Sequence, residues 1–363
     1  MKQVFVAATR QNDGKTMVSL GLFQALKNRF SSISYMKPVG QQYKEINNDK
    51  IDKDVILFQQ VYDLSESLVD MSPIAIPKGF TQEYIESGSK SVLQKKILRA
   101  HSKLTKNKDF LLVEGTGHAG VGSVFDLSNA DVAKLIGSKV ILVSLGGIGR
   151  AIDEIMLNKA LFDLNGVELL GVVINKTKQE KYNKVSPIIR QSLESKGIPV
   201  FGVIPFVDML IKPTVSSLFE SLSGKVLSGD IGYNNPVERC MIGDMVPHDV
   251  LDQLMVNTVL IVPSNREGLI MTALCGRLLD LNFKNNVSAI IFTGGKIPHD
   301  SVFSLITKIS VPLLVVKEDS FTIATKITNM LVKLQANESE KINKIQNLIE
   351  NHVDIDTICE KLV

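Results

Sequence analysis

The sequence predicts an α/β fold, a parallel sheet with helices on both faces followed by a smaller α/β domain. Three observations predict it. Strand-like and helix-like stretches alternate through the first 210 residues or so. Strand candidates such as Val140-Ile-Leu-Val143 are apolar at every position, as parallel strands covered on both faces are. The first strand runs into a loop bearing glycine and lysine and then a helix, the order in which phosphate-binding loops are built.

Val4–Ala7 is that first strand, Ala8-Thr-Arg-Gln-Asn-Asp-Gly14-Lys15-Thr16 the loop, and Met17–Leu26 a periodic helix carrying Val18, Leu20, Leu22 and Leu26. Further strands are predicted at Ser32–Met36, Phe110–Val113, Val140–Val143, Gly171–Ile174 and Val200–Val203. Pro213 in Lys212-Pro213-Thr214 interrupts both neighbouring patterns and marks a linker. A second alternating stretch follows, with strands at Val226–Ser228, Thr258–Val262, Ala289–Phe292 and Pro312–Val316 and helices such as Leu269–Leu281. From Ala336 to Val363 the chain is charged and helical in pattern, with Ile342, Ile345 and Ile349 on one face. The expected division is 1–212, 213–335 and a helical tail, 336–363.

The 363 residues suffice for two domains, and 44% hydrophobic with 22% charged residues describes an ordinary soluble protein. A net charge of +3, read as evenly spread, argues against nucleic acid or an anionic membrane as partner. Cys240, Cys275 and Cys359 lack metal-ligand spacing and form no paired framework, which suits a reducing cytosol. No apolar run has signal-peptide length or reaches the ~18 residues of a membrane span, so a cytoplasmic protein is expected.

In the loop, backbone N–H groups at a helix start cradle oxyanions, which nominates Asn12, Asp13, Gly14, Lys15, Thr16 and Met17 as nucleotide contacts. The Lys15 ammonium is placed to reach terminal phosphates, and the Thr16 hydroxyl to ligate Mg²⁺. Thr9 stands where G-x-x-x-x-G-K-[ST] has its first glycine. The competing reading, a helix cap with an incidental lysine, gives no account of the strand–loop–helix setting.

Ligands of open α/β sheets bind at the carboxyl ends of the strands. Lys37 ends the second strand there, suited to holding a substrate carboxylate or a transferring phosphoryl group. Glu114 ends Phe110-Leu-Leu-Val113 and enters the turn Gly115-Thr-Gly117-His118-Ala-Gly120, where a carboxylate beside a phosphate loop is the usual Mg²⁺ partner. Asp54 is either a second magnesium carboxylate or the start of a helix. Caps explain Asp126 and Asp131, and a tight turn explains Gly146-Gly-Ile-Gly149. Asn175-Lys176 follows Val172-Val-Ile174, where a nucleotide-binding protein reads its base. Lys178 replaces the aspartate of a guanine-reading Asn-Lys-x-Asp, so adenine is expected. His118 is a further candidate for phosphate or substrate contact.

Together these residues resemble dethiobiotin synthetase and its relatives, including the ATP-binding parts of cobyrinic acid a,c-diamide synthase, over roughly residues 1–210. Ala8–Thr16 is similar to that family's phosphate loop, which also carries threonine at the Thr9 position. The resemblance implies that Lys37 works at the substrate and γ-phosphate and that Asp54 and Glu114 bind Mg²⁺. It also implies that Asn175 lies on the adenine side, that Pro205 follows the last strand, and that the protein is a homodimer. Two stretches depart from the family: its Glu-Gly-Ala-Gly-Gly turn is Glu114-Gly-Thr-Gly-His118 here, and the loop centre is Arg10-Gln-Asn-Asp13.

Met241-Ile-Gly-Asp244, Ile261-Val-Pro-Ser-Asn-Arg266-Glu267 and Ile291-Phe-Thr-Gly-Gly295-Lys-Ile-Pro298 resemble a DRTGG domain. The two domains in this order resemble the N-terminal regulatory region of long phosphotransacetylases, here expected to be free-standing. Two functions follow from the resemblance. One is a regulatory module in which ATP–Mg²⁺ sets the state of a DRTGG domain that meets a metabolite or a protein. The other is an ATP-dependent ligase that activates a small-molecule carboxylate or carbamate by phosphoryl transfer.

Overall fold

A computed structural model describes residues 1–228, 232–278, 286–330 and 332–362. The expected ends of the Leu269–Leu281 helix and of the C-terminal segment, residues 279–281 and Val363, lie outside the described residues. The chain forms two compact units, Met1–Val207 together with Ser339–Val363, and Asp208–Glu338.

In the first unit, β1 (Lys2–Ala8) leads through the loop into α1 (Lys15–Lys27) and β2 (Ile33–Met36). A short excursion follows: β3 (Val39–Gly40), the hairpin β4 (Tyr43–Ile46) and β5 (Asp49–Asp52), α2 (Lys53–Tyr62), α3 (Leu68–Met71), β6 (Ile74–Ala75) and α4 (Phe80–Ser87). Next come α5 (Lys90–Thr105), β7 (Phe110–Glu114), α6 (Asn129–Leu135), β8 (Lys139–Leu145), α7 (Gly149–Leu164), β9 (Leu169–Thr177), α8 (Tyr182–Glu194) and β10 (Val200–Pro205). The six long strands form one sheet, ordered β10-β9-β8-β1-β7-β2, and every pairing is parallel. Val4 to Ala8, Phe110 to Glu114 and Val140 to Val143 are buried, so helices cover both faces, as the all-apolar strands require. All six strands expected here are present. The chain runs outward from β1 to one side and then returns to the other, so the carboxyl end of β1 is the switch point of the sheet.

The second unit contains α9 (Val215–Ser221), β11 (Lys225–Ser228), β12 (Arg239–Ile242), α10 (Pro247–Gln253), β13 (Thr258–Pro263), α11 (Glu267–Leu278), β14 (Val287–Thr293), α12 (Asp300–Ile306), β15 (Leu313–Val315) and α13 (Ser320–Thr328). Its sheet is ordered β11-β15-β14-β13-β12, parallel except for the edge strand β11. One core gathers Val250, Leu269 and Ile306 beneath α10, α11 and α12; the other gathers Leu218 and Ile323 beneath α9 and α13.

Two last helices, α14 (Ser339–His352) and α15 (Ile355–Lys361), complete the first unit. The segment expected to form a tail of its own is therefore part of that unit. Its apolar stripe is the reason: Ile342, Ile345, Leu348 and Ile349 are buried, each worth about 1.5–3 kcal/mol against exposure to water. Ile349 sits against Gly21 of α1 where a β-carbon would clash. Beyond α14, Val353 bridges Gly202 of β10, and the Asp354 N–H donates to the Phe201 carbonyl at 2.8 Å.

Candidate functional site

The loop between β1 and α1 is shaped by its own side chains. The Thr9 hydroxyl donates to Asp13 Oδ2 at 2.7 Å, and the Arg10 N–H donates to the same oxygen at 2.8 Å. Thr9, at the missing-glycine position, thus closes the loop by a side-chain bond. Gly14 precedes α1 at φ 92°, a left-handed conformation that favours glycine, and a β-carbon there would meet Asn175. Among the described residues no side chain caps α1, and its first turn holds no acidic residue, so the helix dipole faces the loop.

Asn175 is fully buried at the end of β9, and its amide serves the loop. Nδ2 donates to the Asp13 carbonyl at 2.9 Å, while Oδ1 accepts from the Lys176 N–H at 2.9 Å. The Lys176 ammonium donates to the Asn12 carbonyl at 2.8 Å. Burial raises the Asp13 carboxyl above its ordinary range, opposed by the Thr9 hydrogen bond and the charges of Lys15 and Lys176. Burial likewise lowers the Lys15 ammonium, with Glu114 pulling the other way.

Beside the loop lies a buried ionic cluster. Lys37, at the end of β2, pairs with Asp54, and its Nζ stands 3.3 Å from Glu114 Oε1 and 3.5 Å from Asp52 Oδ1. All four side chains are at least nine-tenths buried. Glu114 Oε1 also accepts from the Thr16 hydroxyl at 2.8 Å, and Oε2 from the Tyr35 hydroxyl at 3.1 Å. Burial opposes the charge of Lys37, yet Asp54, Glu114 and Asp52 outweigh it and hold the ammonium well above the ordinary lysine range. Burial and the same carboxylates push the Tyr35 phenol well up.

The expected residues Lys15, Thr16, Lys37, Asp54 and Glu114 thus meet at one edge of the sheet. Asp54 lies in the first turn of α2, as its helix-start reading expects, and its carboxylate joins the cluster. Pro205 pairs with Thr177 at the carboxyl end of β10. His118 is exposed, and its Nδ1 accepts from the Gly120 N–H at 3.2 Å. Asp131 completes a capping box with Ser128, and Asp126 accepts from the Tyr84 hydroxyl at 3.1 Å.

Sequence reasoning missed Asp52, Tyr35, Asn158 and Asn129. Asp52 caps α2 by accepting from the Asp54 N–H at 2.9 Å, a role its position two residues earlier signals. Asn158, from α7, accepts from the Ala119 N–H at 2.8 Å and donates to the Thr9 carbonyl at 3.3 Å, tying loop to turn. Asn129 braces the turn through the Thr116 N–H at 2.9 Å and the His118 carbonyl at 2.7 Å. Neither asparagine carries a pattern that sequence alone distinguishes from a helix residue.

The donor set near the loop, one hydroxyl and carboxylates, is of the hard-oxygen kind that suits Mg²⁺. Among the described residues no group of three or more His, Cys, Asp and Glu is arranged to hold a metal by itself. Mg²⁺ is ordinarily held by one or two carboxylates, waters and substrate phosphates rather than by such a cage. Thr16, Glu114 and Asp54 fit that requirement. Among the described residues no helix is long and apolar enough to cross a membrane.

A glycine–lysine–threonine loop at the switch point of a parallel sheet, with an acidic cluster beside it, defines a P-loop α/β protein of the nucleotide-binding class. A family model described as an AAA domain matches residues 2–214, more than half of the chain, and the protein belongs to that family. A DRTGG domain model matches residues 217–330.

Among curated proteins, the chain is 26% identical to the phosphate acetyltransferase of Nitratidesulfovibrio vulgaris over 370 residues, covering 99% of this chain and 51% of that protein. Identity to the Synechocystis enzyme of the same name is 22%, with 97% and 50% covered. For the Escherichia coli one it is 20%, with 98% and 52% covered. The chain spans about half the length of the curated relatives it matches. Among solved structures, the Aquifex aeolicus MinC:MinD cell division protein complex covers 58% of this chain and 84% of that chain, at 14% identity and TM-score 0.39. The CBS and DRTGG domains of the regulatory region of Clostridium perfringens pyrophosphatase, complexed with diadenosine tetraphosphate, cover 39% and 67% at 15% identity and TM-score 0.28.

Proposed function

We propose that the first unit binds ATP with Mg²⁺ and that the protein is a nucleotide-responsive regulatory module, related to the N-terminal half of phosphate acetyltransferases. The observation that carries this reading is the buried cluster of Lys37, Asp52, Asp54 and Glu114 against the Gly14-Lys15-Thr16 loop. Three carboxylates around one ammonium keep a net negative charge beside a helix start that favours anions. A metal–triphosphate complex satisfies both halves of that arrangement. Thr16, Glu114 and Asp54 would hold Mg²⁺, whose chemistry there is to neutralise phosphate charge. Asn12 to Met17 would cradle the phosphates, with Lys15 on the terminal ones. Pro205 borders the adenine side, Asn175 holds the loop beside it, and Lys178 in place of aspartate selects against guanine.

The regulatory reading draws on the DRTGG domain and on the half-length match. In it, the second unit is the receiver, meeting a regulatory metabolite or a protein, and two copies pair as a cytoplasmic homodimer. A dethiobiotin-synthetase-like ligase is the second reading, favoured by the intact Lys15, Lys37, Asp54 and Glu114. There Lys37 holds a carboxylate or carbamate while phosphate is transferred to it.

Lys15→Ala is expected to weaken ATP binding by about ten- to a hundredfold, the worth of a charge-assisted hydrogen bond. Calorimetry giving equal ATP affinity for this variant and wild type would sink the site. Product analysis separates the two readings. Glu114→Gln is expected to suppress hydrolysis in either case, but only the ligase consumes ATP faster when a carboxylate and an amine are supplied. Only the module changes its protease protection within residues 208–338 when ATP is added.

A further inference from the structure

Each side chain read above as a magnesium ligand is already engaged by a neighbour. The Thr16 hydroxyl donates to Glu114 Oε1, and that same oxygen stands 3.3 Å from Lys37 Nζ. Asp54 is paired to Lys37 directly, and Asp52 stands 3.5 Å from it. A single ammonium therefore sits at the common focus of three buried carboxylates. For a cation to be shared by Thr16 and Glu114, the hydroxyl must turn its hydrogen away and Lys37 must give up part of its hold.

We propose that Lys37 is a tethered cation that holds the divalent-metal position closed until a nucleotide phosphate draws its ammonium away. The proposal rests on the nucleotide–metal reading and adds an order to it. Taking Lys37 from the carboxylates with nothing in return strands buried charge, which is strongly unfavourable. Bringing a divalent cation in beside the ammonium sets two positive charges together in a weakly screened interior. Each move is favourable only with the other, when phosphate oxygens at the loop receive the ammonium and the metal takes its place. Metal and triphosphate then load as a pair, and metal alone binds poorly. Asp52, no part of the expected ligand set, serves here by holding Lys37 and by capping the turn that presents Asp54.

The test uses Mn²⁺ alone, titrated into the full chain without nucleotide and followed by calorimetry and by the electron paramagnetic resonance of free Mn²⁺. Lys37→Met removes the competing charge and is expected to tighten Mn²⁺ binding about tenfold or more, whereas Lys37→Arg keeps the charge and stays near wild type. A Met variant that binds Mn²⁺ no tighter than wild type overturns the proposal. Should that variant unfold in metal-free buffer, millimolar Mn²⁺ is expected to restore its circular dichroism, and failure to do so also overturns it. Loss of the nucleotide reading shows separately, as ATP affinity insensitive to Lys15→Ala.

Discussion

Asn175→Ala distinguishes a residue that reads a base from one that shapes the phosphate loop. The side chain is fully buried, and its two 2.9 Å hydrogen bonds run to the Asp13 carbonyl and the Lys176 N–H. Alanine leaves both backbone groups without that partner, at about 1–3 kcal/mol for each buried group left unsatisfied. Lys176 is partly exposed, so water can reach its N–H and the sum falls near 2–4 kcal/mol. For a unit of this size each kcal/mol moves the melting midpoint by roughly 2–4 °C, giving a fall of about 5–15 °C. The Asp13 carbonyl is also free to turn, disordering the loop. Scanning calorimetry reads the first effect. Titration with ATP and with tripolyphosphate, which has the phosphates and no base, reads the second. A loop-shaping Asn175 weakens both ligands by the same factor. An unchanged midpoint, or a loss confined to ATP, would refute the reasoning.

Two further outcomes follow from the packing. Ile349→Ala opens a cavity against Gly21 of α1 and is expected to cost about 2–5 kcal/mol, read as a lower denaturation midpoint; a change within error would show that α14 adds nothing to the first unit. Burial pushes the Cys240 thiol up to about 11, so only about one thiol in a thousand is ionised at pH 8. Its alkylation by iodoacetamide should therefore lag far behind that of a free thiol in a peptide, and comparable rates in mass spectrometry would contradict the assignment.

The sheet of the first unit was legible because its strands are apolar on both faces, a pattern that a half-solvated strand does not produce. Lys37 and Glu114 were legible for a related reason: a charged residue ending such a strand lands at the ligand edge. Asp52 and Tyr35 were not. Asp52 reaches the cluster only after the β4–β5 hairpin turns the chain back, and Tyr35 looks like any aromatic residue of a buried strand until Glu114 is found beside its hydroxyl. Asn175 was legible as a position but not as a partner, since the sequence cannot say whether its amide faces a ligand or the loop. The stripe of Ile342, Ile345 and Ile349 announced a buried helix face, while the surface burying it lies more than three hundred residues earlier.

That separation bears on how the protein is made. The face of α1 that α14 covers leaves the ribosome early, and its cover comes only after the whole of Asp208–Glu338. At roughly 5–20 residues per second, synthesis of the intervening unit delays closure by on the order of ten seconds. Through that interval the nascent chain carries an uncovered apolar groove on the helix that begins with Lys15 and Thr16, a natural target for chaperones that hold unfinished chains. Loop-closure entropy grows only slowly with length, so the detour does little to the finished protein's stability while lengthening its vulnerable youth. Products cut short before Ser339 never end that interval, and aggregation or proteolysis is their expected fate.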